Sequence, residues 1–240
     1  EHISQKSSVS ERVIPLGYGA VAIPERLLLA HARGEVLFIT GAGISQPSGL
    51  PDFRGLVIEV YRQVDPAVHS ILSTLPPASS SPPNIDDTRL TDRQNAEVRR
   101  LRSGDYDVVL GMLERRIDSQ SHGMSSVRQA VARELRKPDL KPARIHRALM
   151  SLADRGGAVT IVTTNFDLLL EDAGRKLRQS VQTYALGSIP RPSRRDDFSG
   201  ILHIHGALDR NTARTSDLVL TDHDFGEFYL RRRVVPDLIY

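Results

Sequence analysis

A strand-like run followed by a glycine-rich turn constrains the fold of this chain more than any other stretch. Residues 36–40 (VLFIT) have the length and composition of a buried parallel strand. The run ends in Gly-Ala-Gly at residues 41–43, where glycines allow a sharp turn and a close approach of the backbone to a bound group. The N–H groups of residues 42–45 are therefore expected to face a phosphate, as at a nucleotide site.

The turn matches neither of two common nucleotide-binding patterns. Gln46 stands where G-x-G-x-x-G has its third glycine, and no Gly-Lys-Ser/Thr follows to form a Walker A loop. A plain glycine turn between a strand and a helix would explain Gly41 and Gly43. It gives no reason for the adjacent Pro-Asp-Phe-Arg at residues 51–54.

Residues 41–54 (GAGISQPSGLPDFR) resemble the first motif of the sirtuin family, G-A-G-[IV]-S-x-x-[SA]-G-[IL]-P-D-F-R, at every defined position. The resemblance implies that this stretch binds NAD. Asp52 and Arg54 would order a lid over the nicotinamide ribose and the phosphates, because the forked donors of Arg54 suit a phosphate. The NAD-binding residues implied here are Gly41, Ala42, Gly43, Ser45, Asp52, Phe53 and Arg54.

A second group of polar residues follows the next predicted strand, residues 159–163 (VTIVT). Open α/β sheets bind ligands at the carboxyl ends of their strands, where residues 163–167 (TTNFD) lie. These residues resemble the sirtuin motif T-Q-N-[IV]-D with Thr164 in place of Gln, which implies that Thr164 and Asp167 bind the cofactor. Asn165 is implied to be catalytic, since its amide can hold a ribose hydroxyl and orient a water. The residues alone leave open an Asx-turn at Asn165 and a helix cap at Asp167.

A third motif ends in a histidine and a glycine. Residues 201–208 (ILHIHGAL) resemble the sirtuin strand that ends in His-Gly, and the resemblance implies that His205 is catalytic. An imidazole with a reference pKa near 6.5 can accept a proton from a ribose hydroxyl or polarise it. His203, two residues earlier, is predicted to have a packing or supporting role.

Residues 142–152 (PARIHRALMSL) resemble the sirtuin helix that begins with Pro and carries a His. Its apolar stripe is predicted to be Ile145, Leu149 and Leu152. His146 adjoins this stripe and is predicted to be a structural histidine with satisfied hydrogen bonds.

Strands separated by helical segments predict an α/β fold with a mostly parallel sheet, and the sirtuin resemblance implies that it is Rossmann-like. Between the first two strands the periodicity predicts about three helices instead of one crossover, and therefore an inserted helical subdomain. One more strand is predicted over residues 218–221, and helices are predicted over residues 23–31 and 222–231.

The chain is predicted to be a single sirtuin-like NAD-binding domain over residues 1–240. Its Rossmann-like core would comprise residues 36–56 and 156–240, and residues 57–155 would be the helical insertion. Because the chain begins with Glu1 instead of Met, we expect it to be an excerpt of a longer polypeptide.

Composition narrows the class of protein. The chain has no cysteine, which excludes disulfides and a thiolate zinc site, and we expect no bound metal. Its 32 basic and 29 acidic residues give a net charge of +3, too small an excess to indicate direct nucleic-acid binding. Since no apolar run approaches the length of a membrane span and no signal segment opens the chain, we expect a cytoplasmic protein without membrane contact.

Two departures from the protein-deacylating sirtuins, with one further motif, point to one branch of the family. These sirtuins place a four-cysteine zinc module soon after the His-Gly motif, whereas this chain has no cysteine. The later Gly-Ser motif that holds the adenosine half of NAD is not found either, so the place of the adenosine stays open. With Leu-Thr-x-x-Asp-Phe at residues 220–225, the chain resembles NAD-consuming effectors of prokaryotic antiphage systems. The resemblance implies an NAD glycohydrolase that depletes NAD⁺ in abortive infection.

An enzyme that depletes NAD has to stay inactive until a signal arrives, so we expect control by a homo-oligomer or a regulatory partner. The helices between residues 91 and 135 and the Pro/Ser-rich loop of residues 75–87 are expected to cover the cleft. Two alternatives remain open: an NAD-dependent protein deacylase, and a non-catalytic sensor of NAD or ADP-ribose.

Overall fold

The computed structural model of the chain describes residues 12–76, 86–119, 125–156, 158–175, 181–186, 199–208 and 218–232. The chain divides into two compact units, Glu1–Phe38 and Ile39–Tyr240. Most of the predicted cleft-covering loop, residues 77–85, lies outside the described residues.

An antiparallel hairpin and one helix form the described part of the first unit. β1 (Val13–Pro15) pairs with β2 (Ala22–Pro24). α1 (Glu25–Ala32) begins directly after Pro24, whose φ of −56° suits a helix start. The helix predicted over residues 23–31 is confirmed, although its first residues belong to β2.

Four strands form a sheet with the order β3-β4-β6-β5. They are β3 (Phe38–Thr40), β4 (Thr160–Thr163), β5 (Thr183–Ala185) and β6 (Gly200–His203). Both β4 and β5 run parallel to β6, and the sheet is parallel throughout. The predicted α/β fold with a parallel sheet is therefore confirmed. Thr163 lies opposite His203, so the segments that follow β4 and β6 leave the sheet at the same edge.

β3 is shorter and more exposed than predicted. The strand covers Phe38–Thr40 instead of residues 36–40, and it lies at an edge of the sheet. Thr40 is buried, but Ile39 is 69% exposed. The prediction of a buried strand is wrong for this side chain, because an edge strand has a neighbour on one side only.

Six helices lie between β3 and β4 in the part of the chain that the structure describes, where about three are predicted. They are α2 (Phe53–Val64), α3 (Pro66–Leu72), α4 (Asp92–Ser103), α5 (Tyr106–Ile117), α6 (Ser126–Leu135) and α7 (Arg144–Ala153). Local caps divide the segment: Asp65 accepts from the Val68 N–H and begins α3 directly after α2, and Thr91 forms a capping box at α4. A helix of two turns is too short for its periodicity to stand out.

The buried face of α7 differs from the predicted stripe. His146, Met150 and Ala153 are buried, whereas Ile145 is 41% and Leu152 is 51% exposed. The stripe is therefore shifted by one position from the prediction. α7 packs against α8 (Leu169–Gly174).

Residues 218–220 are buried and lead into a short helical segment. The strand predicted over residues 218–221 is wrong: this stretch is irregular, and the N–H of Leu220 donates to the Asp224 carboxylate at 3.1 Å. α9 (Asp222–Phe225) continues as a π-helix (Gly226–Arg231), which confirms the helical prediction for residues 222–231. In the described ranges, no helix combines the length and apolar character needed to span a membrane.

Candidate active site

Residues from all three motifs line one pocket of about 190 Å³. The structure brings eight of the eleven predicted site residues to its wall, namely Ala42, Ser45, Asp52, Phe53, Thr164, Asn165, Asp167 and His205. The remaining wall is largely apolar and includes Leu50, Leu56, Leu135, Val219 and Phe225. The three motifs meet here because β3, β4 and β6 are neighbours in a parallel sheet, which aligns their carboxyl ends.

A hydrogen-bonded chain joins the first motif to the second inside the pocket. The Asn165 amide nitrogen donates to Ser45 Oγ at 3.0 Å, and Ser45 Oγ in turn donates to Asp167 Oδ2 at 2.8 Å. All three side chains belong to buried residues. Ser45 therefore fixes the positions of both Asn165 and Asp167, and the amide oxygen is the acceptor that Asn165 offers to a water or a hydroxyl.

The backbone around the second motif is set by local hydrogen bonds. Asp167 Oδ1 accepts from the N–H of Leu169 at 3.1 Å, two residues further on, which is an Asx-turn at Asp167. The N-cap residue of α8 is Leu168 and no side chain caps it, so the helix-cap alternative for Asp167 is wrong. The N–H of Asn165 donates to Thr163 Oγ1 at 3.1 Å, a turn formed by the threonine instead of an Asx-turn. The N–H of Thr164 donates to the Thr40 carbonyl at 3.1 Å, which ties the second motif to β3.

Three predicted cofactor-binding residues are absent from the pocket wall. Gly41 has an extended φ of −142°, and a Cβ there would lie 3.3 Å from Thr164 Oγ1, so close packing explains this glycine. In the described residues nothing lies within 4 Å of a Cβ added to Gly43. Arg54 Nη2 donates to the carbonyls of Leu75 at 2.7 Å and Pro76 at 3.3 Å. A role of Arg54 in phosphate binding stays a prediction.

The turn itself offers fewer backbone donors than predicted. Residues 42–44 form a 3₁₀ turn, in which the N–H of Ile44 donates to the Gly41 carbonyl and the N–H of Ser45 donates to the Ala42 carbonyl. The prediction that all four N–H groups of residues 42–45 face a ligand is therefore wrong for these two. Asp52 caps α2 by accepting from the Gly55 N–H at 2.7 Å, a structural role beside its place in the pocket wall.

His205 follows β6 in a turn, two residues beyond the end of the strand. Its Nε2 lies 2.7 Å from the Tyr229 hydroxyl, and its ring makes an edge-to-face contact with Phe225 at 5.2 Å. Burial lowers the pKa of His205, so the imidazole is neutral at neutral pH. A neutral ring has one nitrogen that donates and one that accepts a hydrogen bond, so one nitrogen is left for a ligand beside the contact with Tyr229.

His203 supports the second motif from beneath the pocket. Its Nδ1 lies 2.7 Å from the Asn165 carbonyl and its Nε2 lies 2.9 Å from Glu171 Oε1. Both partners are acceptors, so both ring nitrogens donate in the charged imidazolium. Burial alone would lower the pKa of His203, but the hydrogen bond and charge of Glu171 outweigh it and raise the pKa above 6.5. These contacts agree with the predicted supporting role.

Replacing Glu171 with glutamine should destabilise the fold by about 1–3 kcal/mol, because the neutral amide no longer favours charged His203. The folded-state pKa of His203 is raised above 6.5, so this stabilisation is fully present below that pH. It is lost as the pH rises through the folded-state pKa. Urea unfolding of both proteins from about pH 5.5 to pH 8.5 should show the difference shrinking with pH. A constant difference would contradict the ion pair.

His146 is less completely paired than predicted. Its Nδ1 accepts from the N–H of Ala143 at 3.1 Å, which begins α7. Its Nε2 is buried and has no hydrogen-bond partner in the described ranges. Burial lowers the pKa of His146, in keeping with a neutral ring. The prediction of a structural histidine agrees with these contacts, but that of satisfied hydrogen bonds is wrong for Nε2.

Sequence patterns missed two contributors to this site. Leu135 reaches the pocket from the end of α6, and only the tertiary packing of the inserted helices brings it there. Tyr229 lies outside all three motifs, although Phe225 belongs to the Leu-Thr-x-x-Asp-Phe stretch that precedes it. Contacts across long sequence separations leave no periodic signal in the chain.

A family model matches the part of the chain that contains the second and third motifs. Residues 159–239, which include Asn165, Asp167 and His205, match the SIR2-like domain family. The chain is also 33% identical over 215 residues to a Sinorhizobium fredii protein called "Uncharacterized protein y4cA"; the alignment covers 87% of this chain and 15% of that protein. The chain thus spans a small part of that relative's length. SIR2-like domains use NAD⁺ as a substrate. Residues 159–239 therefore contain a sirtuin-like domain, as the three motifs predict, and such a domain suggests an NAD-related function.

Proposed function

We propose that this domain is an NAD⁺ hydrolase that cleaves NAD⁺ to nicotinamide and ADP-ribose. The observation that carries the proposal is that Asn165 and His205 line one pocket in which Ser45 holds the Asn165 amide. A positioned amide oxygen and a neutral imidazole are the groups that water attack on a ribosyl centre needs. The apolar part of the wall excludes bulk water and strengthens these polar contacts.

The reaction breaks the bond between ribose C1′ and the nicotinamide nitrogen. The bonding electron pair leaves with nicotinamide, and the ribose develops oxocarbenium character. Asn165 accepts a hydrogen bond from the attacking water, whose oxygen bonds to C1′ as one proton is released. His205 forms hydrogen bonds with the ribose hydroxyls and holds the sugar in line with this water.

Asp167 is suited to the leaving group. Each of its carboxylate oxygens already accepts one hydrogen bond, Oδ2 from Ser45 and Oδ1 from the N–H of Leu169. A carboxylate oxygen accepts more than one hydrogen bond, so Asp167 can also take the amide N–H of nicotinamide. Asp167 would thereby orient nicotinamide without contributing to the bond cleavage itself.

The pocket volume supports an inactive resting state. Sites for ligands of drug size enclose about 300–1,000 Å³, and this pocket has about 190 Å³. A wider pocket would accommodate NAD⁺ better, and Leu135 of α6 is one wall residue through which the inserted helices can widen it. We propose that assembly of a homo-oligomer or binding of a regulatory partner drives this widening, and that the protein acts in antiphage defence by depleting NAD.

Expression of the full-length protein at high level in a heterologous bacterium tests this function, because high concentration favours assembly by mass action. We expect cellular NAD⁺ to fall and ADP-ribose to rise with the wild-type protein, and both to stay unchanged with Asn165→Ala. Liquid chromatography with mass spectrometry measures both metabolites. With purified protein, turnover that requires an acyl-lysine peptide and yields O-acyl-ADP-ribose would instead identify a deacylase.

A further inference from the structure

The aromatic wall behind His205 comes from a segment that none of the three motifs contains. The ring centroids of Phe225 and Tyr229 lie 5.2 Å and 5.9 Å from that of His205, and the two aromatic rings lie 5.5 Å from each other. Of the two, Tyr229 also carries a polar group, and its hydroxyl lies 2.7 Å from His205 Nε2. His205 is thus packed on two sides and hydrogen-bonded at one nitrogen.

We propose that Tyr229 is the positioning residue of His205 and that its hydroxyl sets the tautomer of the catalytic imidazole. This inference rests on the proposed hydrolase function for its kinetic consequence. A phenol is a better donor than a neutral imidazole, and an imidazole nitrogen is a better acceptor than a phenol oxygen. The hydroxyl therefore donates to Nε2, and the ring proton resides on Nδ1. His205 then presents a donor, Nδ1–H, to the ribose hydroxyls.

The protonation states are consistent with this direction of the hydrogen bond. Burial raises the pKa of Tyr229, so the phenol keeps its proton. Burial lowers the pKa of His205, so the imidazole stays neutral. One ring nitrogen then has a lone pair that can accept a hydrogen bond from the Tyr229 hydroxyl. Neither group has to change its charge for the pair to form.

The backbone that carries Tyr229 is anchored to the inserted helices. Arg128 of α6 donates to both carboxylate oxygens of Asp224 at 3.0 Å and 2.8 Å, and also to Glu114 of α5 at 2.8 Å. Asp224 in turn accepts from the N–H and the hydroxyl of Thr221 at the start of α9. We call this group, Arg128 with Glu114 and Asp224, the arginine clamp. It fixes the start of the helical segment that contains Tyr229.

A second contact between α5 and α9 involves the Asp222 carboxylate, which lies over Gly111. A Cβ added to Gly111 would lie 2.0 Å from Asp222 Oδ1. Asp222 also accepts from Arg115 at 3.2 Å. The segment then continues as a π-helix, a form that often occurs at functional sites. The position of Tyr229 is thus defined by the inserted helices and by the π-helix.

The test compares Tyr229→Phe in the full-length protein with the wild type. Tyr184→Phe is the matched control, because Tyr184 of β5 packs against the same apolar cluster as Tyr229 but its hydroxyl binds Gln182 instead of His205. Carbethoxylation of His205 by diethyl pyrocarbonate, measured by peptide mass spectrometry, reports the free imidazole lone pair and needs no enzyme activity. We expect His205 to react at least about threefold faster in Tyr229→Phe, and unchanged in Tyr184→Phe.

Kinetics supply the second measurement. We expect Tyr229→Phe to lower kcat for nicotinamide release by about 10–100-fold with little change in KM, because the hydroxyl orients His205 without touching NAD⁺. The acid limb of the pH profile should also move to higher pH, since the hydrogen bond from Tyr229 favours the neutral ring.

A carbethoxylation rate in Tyr229→Phe equal to that of the wild type overturns the inference, whether or not the wild type hydrolyses NAD⁺. Absence of hydrolysis by the wild type, with faster carbethoxylation in the variant, overturns the proposed function alone.

Discussion

Replacing Asn165 with alanine should lower nicotinamide release by about 100–1,000-fold or more, with NAD⁺ binding weakened far less. The amide oxygen is the group proposed to hold the attacking water, and losing one such positioned group removes transition-state stabilisation of this size. The variant should remain folded, because Ser45 keeps its hydrogen bond to Asp167 at 2.8 Å. Single-turnover kinetics with saturating NAD⁺ separates the chemical step from binding.

A graded variant makes this expectation sharper. Ser45→Ala keeps the Asn165 side chain but removes the hydroxyl that accepts from its amide nitrogen at 3.0 Å. We expect a smaller loss than in Asn165→Ala, about 10-fold, because the amide is misplaced instead of deleted. Equal activity of Asn165→Ala and wild type would show that the chemistry takes place elsewhere.

Replacing Arg128 with alanine should lower the free energy of unfolding by about 3–5 kcal/mol. The guanidinium is shared by Glu114 and Asp224, and it also donates to the Leu218 carbonyl at 3.0 Å. The side chains of Arg128 and Asp224 are only 13% and 12% exposed. The substitution would leave Asp224 in a poorly hydrated place without its cation. Denaturant unfolding followed by circular dichroism measures the loss.

Arg115→Ala is the matched control for the arginine clamp. Arg115 also pairs with a carboxylate of α9, Asp222, but the two side chains are 57% and 36% exposed. Water already screens such a pair, so the substitution should change stability little. If both variants lost a similar free energy of unfolding, the buried arginine clamp would hold α9 no better than an exposed ion pair does, contrary to this prediction.

The meeting of the three motifs could be predicted from sequence because parallel strands align their carboxyl ends. Thr163 lies opposite His203 in the sheet, so Asn165 and His205, each two residues further along, leave the sheet together. The roles within the site could not be predicted in the same way. Ser45 is implied to bind the cofactor, whereas the structure shows it as the link between Asn165 and Asp167. Such a link depends on side-chain directions that a motif does not specify.

Failures elsewhere have local causes. Residues 218–221 have the composition of a strand, but the Asp224 carboxylate takes the backbone N–H groups of Leu220 and Thr221, which cannot then join a ladder. On α7 the apolar residues Ile145 and Leu152 predict one buried face, but the face that is buried is the adjacent one, which contains His146. At residues 218–221 a polar side chain overrides the hydrophobic pattern, because a buried backbone N–H left unpaired costs more than the loss of a strand. On α7 the Ala143 N–H donates to His146 Nδ1 and holds the histidine on the buried face, although its Nε2 has no partner among the described residues.

The most direct test of the central claim is the fate of NAD⁺ bound to the full-length protein in its assembled, activated form. Calorimetry establishes binding, and release of label from NAD⁺ carrying an isotope in its nicotinamide establishes cleavage. We predict that wild type and Asn165→Ala both bind NAD⁺, and that only the wild type releases nicotinamide, without any acyl-lysine peptide. Tight binding by the wild type with no nicotinamide released over hours would contradict the account and identify a sensor of NAD⁺.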